Sequence, residues 1–159
     1  MILDQSTLTP LVSIRPACAE DLPRVCALLT AAQLPLDGIE EQFGDGYAVA
    51  EANGSIVGAE GIETYQEAGL LRSAVVDPSW RGRGVGDALT RDRLAWAKAR
   101  GLREVYLLTT TAADYFPRYG FVRVSRTSAP TALQRSREFA EACPQTAVTM
   151  RLLLADQAS

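Results

Sequence analysis

Between Val76 and Asp87 the chain reads Val-Asp-Pro-Ser-Trp-Arg-Gly-Arg-Gly-Val-Gly-Asp. Glycines at this density let a backbone come close to a bulky anion. The stretch follows an apolar run, Gly69 to Val76, and opens a long helical pattern. Strand, bend and helix start in that order aim several backbone N–H groups at one point, and the helix N-terminus adds positive potential there. That is a cradle for a pyrophosphate. Spacing excludes two familiar versions of it. A P-loop needs Gly-x-x-x-x-Gly-Lys-Ser/Thr, and no lysine follows Gly86. A dinucleotide fingerprint needs Gly-x-Gly-x-x-Gly after the first strand of a βαβ unit, whereas Gly82-x-Gly84-x-Gly86 follows a mid-chain strand. What remains is Arg-x-x-Gly-x-Gly, met by Arg81, Gly84 and Gly86.

Other residues that could do chemistry are few. The chain has no histidine, which removes Ser-His-Asp and Cys-His nucleophiles and the commonest general base. Cys18, Cys26 and Cys143 have neither a disulfide framework nor zinc spacing. Arg72 interrupts the apolar run Leu70-Leu71-x-Ser73-Ala74-Val75-Val76, where a charge cannot be buried unpaired. Two readings stand: its guanidinium meets a ligand carboxylate, or it reaches solvent or pairs with a glutamate. Glu60 and Glu63 sit on a neighbouring strand. Their offset of three puts them on opposite faces, so at most one enters a cleft. Glu60 lies amid Val57-Gly58-Ala59 and Gly61-Ile62, an apolar setting that raises a carboxyl pKa.

The elements that must position these groups follow from periodicity. Residues 1–10 read as a polar tail, ahead of one domain over 11–159. Leu11 to Arg15 alternates as a strand, and 20–32 carries an amphipathic helix with Pro23 in its first turn. A short helix is expected over 37–43. Tyr47 to Ala52 and Ser55 to Ile62 form a hairpin about Asn53-Gly54, the strongest type I′ turn signal. Gly69 to Asp77 is a third long strand. Residues 84–100 form the helix leaving the glycine loop, with Val85, Ala88, Leu89, Ala95, Trp96 and Ala99 on one stripe. Glu104 to Thr110 is a buried-type strand, Ala112 to Arg118 a short helical segment, and 121–125 and 146–154 the closing strands, with an amphipathic stretch at 131–142. Hairpins followed by a strand–helix–strand crossover give an α/β fold, a mixed sheet with helices on both faces.

Composition sets the outer bounds. At 159 residues the chain is the size of one domain, and 47% apolar content suits a globular core. A net charge of −3 favours neither nucleic acid nor an anionic membrane surface. No apolar run is long enough to span a bilayer, and Met1 to Pro10 lacks a signal-peptide pattern, so a cytoplasmic protein is expected.

The Arg81–Gly84–Gly86 loop resembles the coenzyme A loop of the GNAT superfamily of N-acetyltransferases. Ile14-Arg15-Pro16-Ala17 and Tyr119-Gly120-Phe121 extend the resemblance from about Ile14 to Leu153. It implies a twisted sheet of about seven strands with a splay between the fourth and fifth. Leu70-Leu71-Arg72-Ser73, Tyr106 to Ala112 and Glu138-Phe139 through Cys143-Pro144 are similar to small acetyltransferases encoded with arsenic-resistance genes. The first two motifs are also similar to stand-alone N-acetylglutamate synthases. Both relatives imply an amino acid-like acceptor.

The resemblance implies acetyl-CoA as donor and a small-molecule amine as acceptor, with no metal. It places the pyrophosphate on Arg81, Gly82, Arg83, Gly84, Val85, Gly86 and Asp87, and the pantetheine arm along Ala74, Val75 and Val76. The Val76 amide would donate to the thioester oxygen. Thr109 and Phe116 are implied coenzyme contacts, and Arg72, Ser73 and Glu63 acceptor contacts. Without histidine a carboxylate is the expected base, directly or through water, and Glu60 is the one favoured. Relatives often carry a tyrosine general acid where this chain has Phe116. A thiol pKa near 8.5 lets the thiolate leave with little help, so no tyrosine general acid is expected. Arg126, Arg135 and Arg137 on the 126–145 segment are candidates to complement an acidic acceptor. A homodimer through the C-terminal strand is also implied. Competing readings are an acyl-CoA-binding regulator without turnover, and arsenite capture by the three thiols.

Overall fold

The computed structural model describes residues 12–136, 139 and 147–154. Seven strands form one sheet in the order β1-β2-β3-β4-β5-β7-β6. They are β1 Val12–Pro16, β2 Tyr47–Ala52, β3 Ser55–Tyr65, β4 Ala68–Val76, β5 Glu104–Thr109, β6 Val122–Val124 and β7 Val148–Leu153. The helices are α1 Leu22–Ala31, α2 Ile39–Gln42, α3 Val85–Ala99 and α4 Thr131–Gln134. Asn53 (φ 53°) and Gly54 (φ 77°) turn the β2–β3 hairpin with the two positive angles a type I′ turn requires. The mixed sheet and its seven strands are those the sequence implied. The expected tail over 1–10 lies outside the described residues.

α1 packs on one face, where Val25, Leu28 and Leu29 meet Tyr47, Val49, Ala59 and Val75. α3 packs on the other, where Val85 and Leu89 meet Ala48, Ala50 and Val57. Strand alternation divides the glutamates in the same way. Glu60 faces α3, bonding Thr90, and Glu63 faces the opposite side, bonding Arg72 and Tyr65.

Two irregularities shape the centre of the sheet. Opposite the single residue Glu60, β4 carries two, Ser73 and Ala74, between the partners Val75 and Arg72. This bulge holds Ser73 at φ 61°, a left-handed conformation uncommon for a residue with a side chain. The second is a splay. β4 and β5 run parallel and pair only where Ala68–Leu70 meet Glu104–Tyr106, so their C-terminal halves diverge.

Two sequence expectations are corrected. Ala112 to Arg118 is not an α-helical segment: a turn closed by the Tyr115 N–H on the Ala112 carbonyl leads into a 3₁₀ turn over Phe116–Tyr119. Pro117 has no N–H to extend a helix. The buried stripe of α3 is Val85, Leu89, Thr90, Arg93 and Ala97, while Ala95 and Ala99 are exposed. Thr90 and Arg93 are held inside by partners on the sheet side, Glu60 and the Asp45 carbonyl. The C-terminal strand β7 pairs with β5 on one side and with β6 on the other, which leaves β1 and β6 as the sheet edges.

Gly46 provides a test of this packing. A Cβ there would lie 2.0 Å from the Ile62 carbonyl oxygen, a backbone atom that cannot swing aside. Gly46→Ala is expected to destabilise the protein by about 3 kcal/mol, the upper part of the overpacking range, as a lower denaturation midpoint at unchanged m-value.

Candidate active site

The diverging halves of β4 and β5 open a cavity of about 970 Å³. Its walls are Leu71–Val76 of β4, Leu107–Thr109 of β5, Arg81, Gly82 and 84–87 of the glycine bend but not Arg83, and Ala32–Pro35 between α1 and α2. The opening passes through the sheet, so one space joins the glycine bend, Glu60 and the α1–α2 connection.

At the bend, the Asp77 carboxylate accepts from the Ser79 N–H at 2.9 Å and starts a 3₁₀ turn over Pro78–Trp80. Arg24 anchors the same carboxylate at 3.1 Å. Gly82 (φ 77°) and Gly84 (φ 84°) then take left-handed angles, and Gly84 is the N-cap of α3. A Cβ at either position would meet nothing within 4 Å. Local backbone conformation, rather than protein packing, therefore accounts for glycine at both. The first N–H groups of the 15-residue α3 have no partner within the helix and lie on the cavity wall. A pyrophosphate fits this cradle. Arg81 and Arg83 are exposed beside it, Arg83 stacked 4.9 Å over the Trp80 ring.

Along the strand, Ala74 is exposed to the cavity beside the bulge, between buried Ser73 and Val75, and Val76 leads into the bend. Glu60 lies deeper in the same wall, 1% exposed. One carboxyl oxygen accepts from the Thr90 hydroxyl at 2.9 Å, and the other has no hydrogen-bond partner among the described residues. Burial pushes its pKa up to about 8, against the opposing pull of Thr90 and Arg93. A carboxyl so placed can exchange a proton near neutral pH.

The expected acceptor residues sit differently. Ser73 and Arg72 line the cavity, but Glu63 does not. Arg72 is buried and ion-paired with Glu63 at 2.9 Å. It also donates to the Ser73 hydroxyl and to the Pro35 and Asp37 carbonyls. Of the two sequence readings of Arg72, pairing with a glutamate is the arrangement observed. Thr109 lines the cavity, its hydroxyl oxygen accepting from the Ala112 N–H at 2.8 Å. Phe116 is core, edge-on to Phe121 and Tyr115, with one surface on the cavity. Arg126 donates to the Phe139 carbonyl, away from the cavity walls. Arg137 and Cys143 lie outside the described residues.

Tyr115, for which no general-acid role was expected, also lines the cavity. Its hydroxyl lies 3.9 Å from where a Gly86 Cβ would be, and it is bonded to the Tyr119 hydroxyl at 2.7 Å. Tyr119 in turn donates to Asp87 at 2.7 Å. Tyr119 and Arg91 hold the Asp87 carboxyl below its usual pKa, so it is ionised at neutral pH and only accepts. Tyr119 has a single proton, committed to Asp87. The Tyr115 proton must therefore point to Tyr119, which leaves Tyr115 a lone pair and no free donor. Tyr115→Phe is expected to keep kcat within about fivefold, well short of the hundredfold typical of removing a proton donor. Steady-state kinetics against acetyl-CoA check this.

The match that decides the family spans the core of this site. The acetyltransferase (GNAT) domain family matches residues 44–123, from the start of β2 through the glycine bend to β6. The chain belongs to the GNAT acetyltransferase family. Acetyl-CoA is the acetyl donor of this family. An uncharacterized N-acetyltransferase of Methanocaldococcus jannaschii is 36% identical over 89 residues, 48% of this chain and 39% of that one. An amino-acid acetyltransferase of Neisseria meningitidis is 24% identical over 128 residues, 75% of this chain and 29% of that one. The chain thus spans less than half the length of these GNAT relatives. Among solved structures, N-acetylglutamate synthase from Neisseria gonorrhoeae, complexed with coenzyme A and L-arginine, superposes with TM-score 0.77 at 20% identity, covering 92% of this chain and 34% of that one. A Mycobacterium tuberculosis protein in complex with CoA and NLQ superposes with TM-score 0.77 at 24% identity, covering 90% of this chain and 99% of that one. These likenesses confirm the GNAT fold.

Proposed function

We propose that this chain transfers an acetyl group from acetyl-CoA to the amine of a small amino acid. The observation that carries this reading is the through-sheet cavity, which joins the anion cradle at Gly82–Gly86 to an ionisable, half-unpartnered carboxyl at Glu60. Relatives named amino-acid acetyltransferases support the acceptor class. Gly82, Gly84 and the α3 N-terminus hold the pyrophosphate, and Ala74 to Val76 flank the pantetheine arm. The Val76 amide polarises the thioester carbonyl. Glu60, as carboxylate, removes a proton from the acceptor ammonium directly or through one water. The amine nitrogen then bonds the carbonyl carbon, the carbon–sulfur bond breaks, the nitrogen gives up its second proton, through solvent, to the departing thiolate, and Glu60 releases the first proton to solvent.

The test is thiol release from acetyl-CoA with the purified protein against a panel of amino acids, including glutamate, phosphinothricin and an arsenic-containing analogue. Turnover with an amino acid supports the reading. Coenzyme binding without turnover across the panel supports an acyl-CoA-binding regulator instead.

A further inference from the structure

The strand that delivers the coenzyme to the site also carries a buried arginine, and its partners lie on three separate segments. Arg72 sits four residues before Val76, about 13 Å along the strand from the glycine bend. At that level the cavity wall is the connection between α1 and α2. This connection has little regular backbone structure. Gln33 (φ 60°) and Gly38 (φ 80°) are both left-handed, and Leu34 and Leu36 are exposed apolar side chains. Among the described residues, one guanidinium hydrogen-bonds it to the sheet at two carbonyls. Arg72 donates from one nitrogen to the Pro35 carbonyl at 3.2 Å and from another to the Asp37 carbonyl and the Glu63 carboxylate. Its Nε donates to the Ser73 hydroxyl at 3.0 Å, on the bulge beside Ala74. Glu63 is held in turn by the Tyr65 hydroxyl at 2.6 Å.

We propose that Arg72 is a positioning residue for the acceptor: it clamps the 33–38 connection to β4, and the acceptor binds against the wall that this clamp maintains. The inference rests on the acetyltransferase reading above. A planar fork reaching two loop carbonyls, a carboxylate and a hydroxyl at once cannot be reproduced by the single point charge of lysine. A guanidinium with its donors so engaged does not need a substrate anion for neutrality. In this proposal the acceptor binds between the connection and β4, both of which line the cavity, so displacing either one disturbs acceptor binding while the glycine bend stays as it is.

The test compares the full-length wild type with Arg72→Lys and Glu63→Gln. Complete removal, as in Arg72→Ala, leaves a buried carboxylate unpaired and threatens folding. Three measurements decide. In hydrogen exchange with coenzyme A bound, Arg72→Lys is expected to speed amide exchange at least tenfold over residues 33–38 and to leave the 84–90 amides unchanged. In calorimetry its affinity for coenzyme A stays within twofold of wild type. In steady-state kinetics its acceptor KM rises at least tenfold, and by the same factor for an amino acid and its carboxamide. Glu63→Gln shows the same pattern, smaller in size. Unchanged exchange over 33–38 overturns the clamp. So does a KM increase confined to the free acid, which would make Arg72 a direct carboxylate ligand. If the wild type binds coenzyme A but acetylates nothing in the panel, the amino-acid reading fails, and exchange over 33–38 still decides the clamp.

Discussion

Replacing Glu60 by Gln should lower kcat by roughly a hundredfold to a thousandfold, the range for a positioned general base, with little change in coenzyme A affinity. Gln keeps the shape and the bond from Thr90 but cannot take a proton. The pH profile sharpens the test. With the Glu60 carboxyl pushed up to about 8 by burial, only its ionised fraction works. Wild-type kcat should rise about tenfold per pH unit below 8 and level off above it, while the residual rate of the variant loses this limb. Stability should move the other way. The folded-state pKa lies above the ordinary value near 4.5, so between these two pH values the native protein holds a proton that the unfolded chain has released. Stability is therefore full below that window and falls as pH rises through about 8. Glu60→Gln never ionises, so its Tm at pH 8 should exceed that of wild type. A variant that is both less active and more stable identifies a group kept for chemistry. One with ordinary kcat removes Glu60 from the reaction.

The parts legible in the sequence were those with short-range causes. Asn53-Gly54 sets its own turn, and the order of strands and helices follows from periodicity. The glycine bend was readable because Gly82 and Gly84 are required by backbone angle, a local property. What was hidden depends on partners far along the chain. The apolar stripe assigned to α3 put Ala95 and Ala99 inside, yet the buried positions include Thr90 and Arg93. Nothing in a helical repeat announces that Glu60, thirty residues earlier, will draw Thr90 inward. Arg72 stood out as a charge in an apolar run, but its carbonyl partners at 35 and 37 belong to a connection with no pattern of its own. A helical segment was expected over Ala112 to Arg118, and Pro117 confines it to a tighter turn. The signal that could have found Glu60 with more certainty is the pairing of a mid-strand acid with a polar residue on the inner face of the next long helix.

Gly84→Asp should raise the dissociation constant for coenzyme A by on the order of a hundredfold, while the fold survives. The two halves of this expectation have separate causes. Folding is spared because a Cβ at Gly84 meets nothing within 4 Å, and aspartate tolerates the left-handed angle better than most residues. Binding is lost because the new carboxylate stands at the N-terminus of α3, the place proposed for the phosphates. Two like charges about 4 Å apart repel by roughly 1 kcal/mol in water and several times that in a partly desolvated cleft, and a hundredfold corresponds to about 2.7 kcal/mol. Gly84→Asn is the control, with the same size and backbone demand and no charge. If electrostatics decides, Asn weakens binding far less than Asp, and the gap narrows as salt is added. If the glycine serves only to let the backbone approach, the two variants lose affinity equally and salt changes neither. Calorimetric titration with coenzyme A at two salt concentrations separates these outcomes. Equal affinity in all three proteins would show that the Gly82–Gly86 bend does not carry the phosphates.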